Sequence, residues 1–570
     1  MIHYQLEFDE FKQHLIHVTV RFLANPQQTL WLPTWIPGSY LIREFSKHIE
    51  QVNAYDEAGR QLKIDKTHKN KWQLFNIDHE FITVEYKVYA YDLSVRGSYV
   101  DQSRLYINPT TVCVALTGQE ESVHELELFI PEELRHFDYA GALTAKSLVK
   151  GRFTLKANNY AQLIDSPFEL AEQEKFSFSA ENINHDFVIS GRHQANLIRL
   201  ESDLSKICTA QIQLFGSAPF EHYTFLTMAT GNLYGGLEHC DSTSLICPRE
   251  DLPKTDEPQE PSKDYQRYLG LCSHEYFHAW LVKFIRPENY VHPDLSQEGY
   301  TSLLWMFEGF TSYYDDLMLV RSGVISIESY LNLCSAQINR YLQNPGRKVQ
   351  SVSESSFDAW IKFYRQDENS NNAGTSYYNK GALVALCLDL GLRCQGSSLD
   401  AVMRELYANT QAGNQVHERT IFEICHRLTE QDWIERLQHL LYSTEELPLA
   451  ELLQEFGVTY QVQVEKHLPF GAKVQEKSEG LLIQQVRRDS SAAQAGLSAH
   501  DVVIALDDIR ITEKLWQAKA KENRTLRCHA FRRDELMCFD LQTQAYPLYE
   551  VTLSINDETK LKQWLLNHSL

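Results

Sequence analysis

The chain has 570 residues, of which 43% are hydrophobic and 23% charged, and a formal net charge of −22. This is enough chain for several domains of ordinary globular composition, and the acidic balance argues against a nucleic-acid partner. The N-terminal MIHYQLEFDEFKQH lacks a basic start followed by an apolar core, and no apolar run reaches membrane-spanning length, so neither a signal peptide nor a transmembrane segment is expected. The 11 Cys are scattered without paired spacing and predict reduced, mostly buried thiols in a cytoplasmic protein, Cys240 included as a small buried hydrophobe.

From residue 1 to about 165 the pattern has period two. Ile16, Val18, Val20 and Phe22 alternate with His17, Thr19 and Arg21, and Ile82, Val84, Tyr86 and Val88 alternate with Thr83, Glu85 and Lys87. Such alternation predicts an antiparallel β domain with one buried face. From 166 to 449 the pattern is mixed and then mostly helical. NLIRLESDLSKICTAQIQLFG, near 196–216, has helical apolar spacing, and the acidic, proline-rich EDLPKTDEPQEPSKD at 250–264 reads as a surface loop.

The next segment, from Asp264 to Ile285, has no proline and spaces its apolar residues helically at Tyr265, Tyr268, Leu269, Cys272, Tyr276 and Ala279. Pro287 ends it. This predicted helix carries HEYFH. His274 and His278 lie four residues apart, so both imidazoles project from one face, close enough to hold one ion, and Glu275 stands beside them as a base. A pair of surface histidines is the alternative. A catalytic metal site needs a third protein ligand. WMFEGFTSYYDDLMLV, residues 305–320, embeds Glu308 among Met306, Phe307, Phe310 and Tyr313, where a carboxylate is costly unless paired or metal-bound. Glu308 is therefore the best third ligand, against the alternative of a solvent-facing residue.

Three segments then carry a resemblance. EGFTSYYD is similar to the second-helix segment of the aminopeptidase N family, which implies Glu308 as zinc ligand and Asp315 as its acidic support. Phe307 departs from the Asn usual before that ligand. SYYNKGALVALCLDL, residues 376–390, resembles the segment that places a tyrosine before a Lys-Gly pair, implying Tyr378, or failing that Tyr377, as donor to the oxyanion. GNLYGGLEHCDST, residues 231–243, resembles the substrate-binding edge strand. There Gly235 and Gly236 would admit a peptide backbone and Glu238 would pair with a free α-ammonium, unless it is an exposed Glu after a turn. With LPTWIPGSYLIREFSKHI at 32–49, nearly the whole chain resembles the glycyl aminopeptidase family.

The resemblance implies a multidomain α+β protein. Its parts are an N-terminal antiparallel β domain (1–165), a thermolysin-like zinc catalytic domain with C-terminal helices (166–449), a PDZ domain (450–545) and a tail with one short amphipathic helix (546–570). Ser397 and Asp400 form a candidate capping pair before one of those helices. EGLLIQQVRRDSSAAQAGLSAHDVVIALDDIRI, at 479–511, resembles a PDZ domain of the bacterial protease type, with LPFGAKV as the loop whose amides at Phe470, Gly471 and Ala472 would receive a peptide carboxylate.

The expected protein is thus an aminopeptidase with one zinc ion per chain, releasing glycine and then alanine from peptides with a free N-terminus, and with a possible C-terminal peptide ligand at the PDZ groove. A metallo-endopeptidase or broader aminopeptidase, and a PDZ adaptor with a decayed protease domain, are the alternatives.

Overall fold

The protein is described by a computed structural model covering residues 1–75, 77 and 80–566. The chain forms two compact units. The first comprises Met1–Gly299, Tyr314–Ser326 and Met403–His417, and the second Tyr300–Tyr313, Ile327–Val402 and Glu418–Leu570.

In the first unit an eight-stranded sheet runs in the order Lys146–Val149, Arg152–Ala157, His124–Phe129, Ile2–Glu7, Leu15–Leu23, Phe81–Tyr89, Ile49–Tyr55, Gln61–Leu62. The alternating residues pair as their period requires: Phe22 faces Ile82, Val20 faces Val84, Val18 faces Tyr86 and Ile16 faces Val88, all within 2% of full burial. The sheet departs from the antiparallel expectation at one pair, because Ile2–Glu7 lies parallel to His124–Phe129. A parallel neighbour needs a long connection, and most of the β domain supplies it here.

A second, five-stranded sheet has the order Gln173–Ala180, Ile183–Ser190, His222–Thr230, Ser242–Pro248, Gly235–Glu238, which leaves Gly235–Glu238 at an edge. Ile183–Ser190 and His222–Thr230 are parallel, joined by the predicted helix, which spans Leu197–Phe215. Asn196 caps its start, and Gly216, in the left-handed region at φ 82°, ends it.

The second unit is helical up to Glu455 and then mainly β. Gly309 and Gly381 lie against each other: a Cβ on Gly309 would stand 2.5 Å from the Cα of Gly381. Two helices thus meet backbone to backbone, which explains glycine directly after Glu308 and directly after Lys380. Helix Leu399–Gln411 is capped differently from expectation. The Ser398 hydroxyl, not that of Ser397, accepts from Ala401 N–H at 3.3 Å, and Asp400 is buried beside Arg393.

Beyond residue 455, strands Ala472–Glu476, Leu481–Val486, Val502–Leu506, Thr525–Arg532 and Glu535–Gln542 share a sheet, with helices Ser491–Ala495 and Glu513–Lys519 over a core that includes Phe470, Ile483, Val503 and Trp516. The last segment holds more than the expected helix. Ala545–Ile555 is a strand paired along Val458–Pro469, and helix Glu558–Leu565 follows with Leu561, Trp564 and Leu565 fully buried. The Trp564 indole donates to Tyr313 Oη at 3.1 Å, which fastens the tail to its own unit. No disulfide joins the 11 cysteines, and all but Cys240, Cys394 and Cys538 are buried. Cys240 is thus exposed, contrary to the sequence reading. No helix among the described residues is long and apolar enough to cross a membrane.

Candidate metal and substrate site

In the first unit the HEYFH helix spans Lys263–Phe277, with the Ser262 hydroxyl accepting from Tyr265 N–H at 3.4 Å. It stops at His278, well before the predicted end at Ile285, because the chain folds into a tight turn. Lys283 N–H donates back to His278 O, Val282 N–H donates to Ile285 O, and Val282 adopts φ 103°. A β-branched residue there is strained, and such strain persists only where the surroundings over-determine it. The turn delivers the Leu281 carbonyl to His278 Nδ1 at 2.9 Å.

A backbone carbonyl can only accept, so His278 carries its proton on Nδ1. His274 Nδ1 in turn lies 2.9 Å from Asp315 Oδ2. With both Nδ1 positions committed outward, the two Nε2 atoms lie 3.1 Å apart, and in neutral rings they present their lone pairs to one another. Two acceptors at that distance repel unless a cation stands between them, so this donor set fits a metal ion with carboxylate and carbonyl supports behind the ligands. Burial raises the Asp315 carboxyl, while its hydrogen bond to His274 pulls the other way. Asp315→Asn is expected to weaken metal affinity by about 10- to 100-fold, the usual cost of losing such a support, measured by competition with a chelator. Unchanged affinity would remove Asp315 from the site.

Two carboxylates converge beside His278. Glu238, Glu275 and His278 each offer a ligand atom within 4.8 Å of the others, and all three residues are buried. Glycine makes this approach possible. A Cβ on Gly236 would stand 2.1 Å from Glu275 Oε1, so the edge strand rests directly on that carboxylate. Glu238 is 3% exposed, and its Oε1 has no hydrogen-bond partner among the described residues. A buried carboxylate in that state is set for a cationic partner.

Gly38, from the 32–49 segment, presses on the same group. It has φ 96°, and a Cβ there would lie 2.1 Å from Glu238 Oε1. Any side chain at 38 is excluded twice, by conformation and by contact. Gly38→Ala is expected to raise KM for free-amine substrates by about tenfold through displacement of the Glu238 carboxylate. A parallel kcat and KM determination checks this, and a kcat effect with KM intact would contradict it.

Behind Glu238, Asp165 accepts from Lys283 Nζ at 2.7 Å, pairs with His239 Nδ1 at 3.1 Å and accepts from Cys240 N–H at 3.0 Å. Against the penalty of burial, Lys283 and His239 hold Asp165 well below the usual carboxylate range. Although the residue as a whole is exposed, desolvation of its sulfur and the neighbouring Asp165 carboxylate push the Cys240 thiol up to about 12, which makes it a poor nucleophile.

In the second unit Glu308 is 1% exposed and sits at the junction of helices Leu304–Phe307 and Gly309–Arg321, in the apolar setting the sequence predicted. Helix Tyr377–Arg393 opens on Ser376. Tyr377 is fully buried, while Tyr378 is half-buried with its hydroxyl 3.0 Å from that of Tyr364. The Phe470–Gly471–Ala472 loop differs from a free carboxylate receiver. Phe470 N–H donates to Gln544 O and Gly471 N–H to Leu468 O, and the Phe470 ring packs on Trp516. Sequence reasoning missed Gly38 as a neighbour of Glu238 and the Lys283–Asp165 pair. The glycine stood in a quoted segment, but nothing local announced its contact 200 residues away.

Residues 3–172 match the Peptidase M61 N-terminal domain, and residues 267–384 match the M61 glycyl aminopeptidase model. A crystal structure described as an aminopeptidase N family protein from Idiomarina loihiensis is 41% identical, covers 99% of this chain and 100% of its own, and superposes with a TM-score of 0.94. A two-domain M1 zinc metallopeptidase variant bound to L-tryptophan is 12% identical over 79% of this chain and 95% of its own, with a TM-score of 0.50. An M1 zinc metallopeptidase from Deinococcus radiodurans is 12% identical over 79% and 94%, with a TM-score of 0.49. Comparison with curated proteins found no match. The fold and the site together define a metallo-aminopeptidase. Within that class, the chain belongs to the M61 glycyl aminopeptidase family.

Proposed function

We propose that the protein is a zinc-dependent aminopeptidase that releases small N-terminal residues, glycine and then alanine, from peptides. The observation that carries this reading is the convergence of Glu238, Glu275 and His278 beside the edge strand Gly235–Glu238. An endopeptidase has no use for a buried carboxylate at the place where a substrate chain would have to continue.

In this reading one zinc ion would be held by His274, His278 and Glu308, a two-imidazole, one-carboxylate set that suits zinc. When bound, the ion supplies a Lewis acid that polarises the scissile carbonyl and acidifies water. Glu275 takes the proton from the attacking water and passes it to the leaving amine. Tyr378, the accessible member of its pair, donates to the developing oxyanion, and Glu238 anchors the α-ammonium. Gly235 and Gly236 let the substrate backbone lie close, and Asp315 holds His274 in register. A first subsite too shallow for a side chain would give the preference for glycine, since excluded volume is how a pocket favours hydrogen over methyl.

Residues 450–545 belong, in this reading, to a PDZ-type domain. The order of strands and helices supports it, as does the position of Ala472–Glu476 at a sheet edge. With the Phe470 and Gly471 amides already bonded within the chain, the domain serves as a packing module before it serves as a carboxylate receiver.

Glycine, alanine and leucine anilides with an N-acetylglycine control, assayed on protein of known zinc content, test the whole proposal. Glycine should be cleaved fastest and the blocked substrate not at all. Equal cleavage of the blocked substrate would overturn exopeptidase action, and a leucine preference would overturn the shallow subsite.

A further inference from the structure

Arg96 reaches the same edge strand from the connection between strands Phe81–Tyr89 and Tyr99–Val100. Its Nη2 donates to Gly236 O at 3.2 Å, and its Nη1 lies 3.7 Å from where a Cβ on Gly235 would stand. Its Nε is buried and has no partner among the described residues. The connection itself is well anchored. Val95 O accepts from Tyr106 Oη at 3.2 Å, Tyr106 Oη lies 2.7 Å from Ser244 Oγ, and Arg96 N–H donates to Ser94 Oγ at 3.2 Å. A planar guanidinium with one of its five donors placed is thus held over a strand that has no side chains at 235 and 236 to block it.

Charge and length narrow what it meets. Glu238 and Glu275 make the neighbourhood acidic, and Lys283, which lies near Glu238, is already bonded to Asp165. Gly236 and Glu238 are two residues apart, roughly 7 Å along a strand. An extended dipeptide spans about the same length from its ammonium to its carboxylate. Arg96 at one end and Glu238 at the other therefore match the two charges of one short substrate.

We infer that Arg96 receives the substrate's α-carboxylate, so that the preferred substrates are dipeptides carrying a free carboxylate as well as a free amine. This inference rests on the aminopeptidase reading of the site. A guanidinium can add an end-on carboxylate contact while keeping the Gly236 carbonyl, because Nη1 and the second Nη2 hydrogen remain available. Longer peptides would place a neutral carbonyl at this point and bind less well.

The test compares kcat/KM for glycylglycine with that for glycylglycinamide, using wild type, Arg96→Met and Arg96→Lys on zinc-loaded full-length protein. Wild type should favour the acid by at least about tenfold, as expected for a charge-assisted pair, Arg96→Met should bring the ratio close to one, and Arg96→Lys should fall between. A wild-type ratio near one overturns the inference. So does a ratio that survives Arg96→Met while both rates fall, since Arg96 would then only brace the strand. Should Arg96→Met fail to fold, the wild-type and Arg96→Lys ratios decide. Glycine anilide separates the two levels: if wild type cleaves it without distinguishing acid from amide, only the role of Arg96 fails, and if it is not cleaved at all, the aminopeptidase reading falls and takes this inference with it.

Discussion

Glu275→Gln is expected to lower kcat for glycine anilide by about 10²- to 10⁴-fold, the range that a positioned general base contributes, while zinc content stays at the wild-type level. The substitution is nearly isosteric, which matters at a residue 5% exposed whose carboxylate lies against the backbone of Gly236. Glutamine fills the same space but cannot take a proton from water. The imidazoles keep their supports, because the Leu281 carbonyl and Asp315 are untouched. Metal analysis beside the kinetics makes the result specific. Activity within about tenfold of wild type would remove Glu275 from proton transfer. Loss of the metal as well would mean that Glu275 helps to hold it.

Glu238→Ala is expected to cut kcat/KM for free-amine substrates by about 30- to several-thousand-fold, the consequence of losing one partner of a desolvated charge pair at 2–5 kcal/mol. Glu238 is 3% exposed and its Oε1 has no hydrogen-bond partner among the described residues. The same variant assayed on an internal bond of an N-blocked peptide gives the contrast. An exopeptidase ignores that substrate before and after the change. If Glu238→Ala leaves free-amine hydrolysis intact, the ammonium lies elsewhere and the preference for chain ends needs another source.

Some of this was legible from the residues alone because the signals are local. The spacing of His274 and His278 places two imidazoles on one helical face whatever surrounds them. The alternation of Ile16–Phe22 and Ile82–Val88 fixes which face of each strand is buried, and the observed register follows. The apolar company of Glu308 predicted its burial correctly. Misses came where long-range contacts override local preference. Helical spacing ran on to Ile285, yet the chain turns at His278 because hydrogen bonds to Leu281 and Lys283 favour the turn over another helical winding. Tyr546–Ile555 shows weak alternation, and only pairing along Val458–Pro469 makes it a strand.

The sequence by itself determined the chemistry available: a histidine pair at helical spacing, a glutamate beside it, and glycines before a carboxylate. Residue identity and short-range periodicity carry that information without any fold. Only the tertiary structure decided protonation and space. It set the Nδ1 protons of His274 and His278 outward so that both Nε2 atoms face one point, laid Gly236 on Glu275 and Gly38 on Glu238, and brought Arg96 to the open edge. These contacts join residues up to 200 positions apart. No local pattern encodes them, because they arise from how two sheets and a helix pack rather than from any one element's preference.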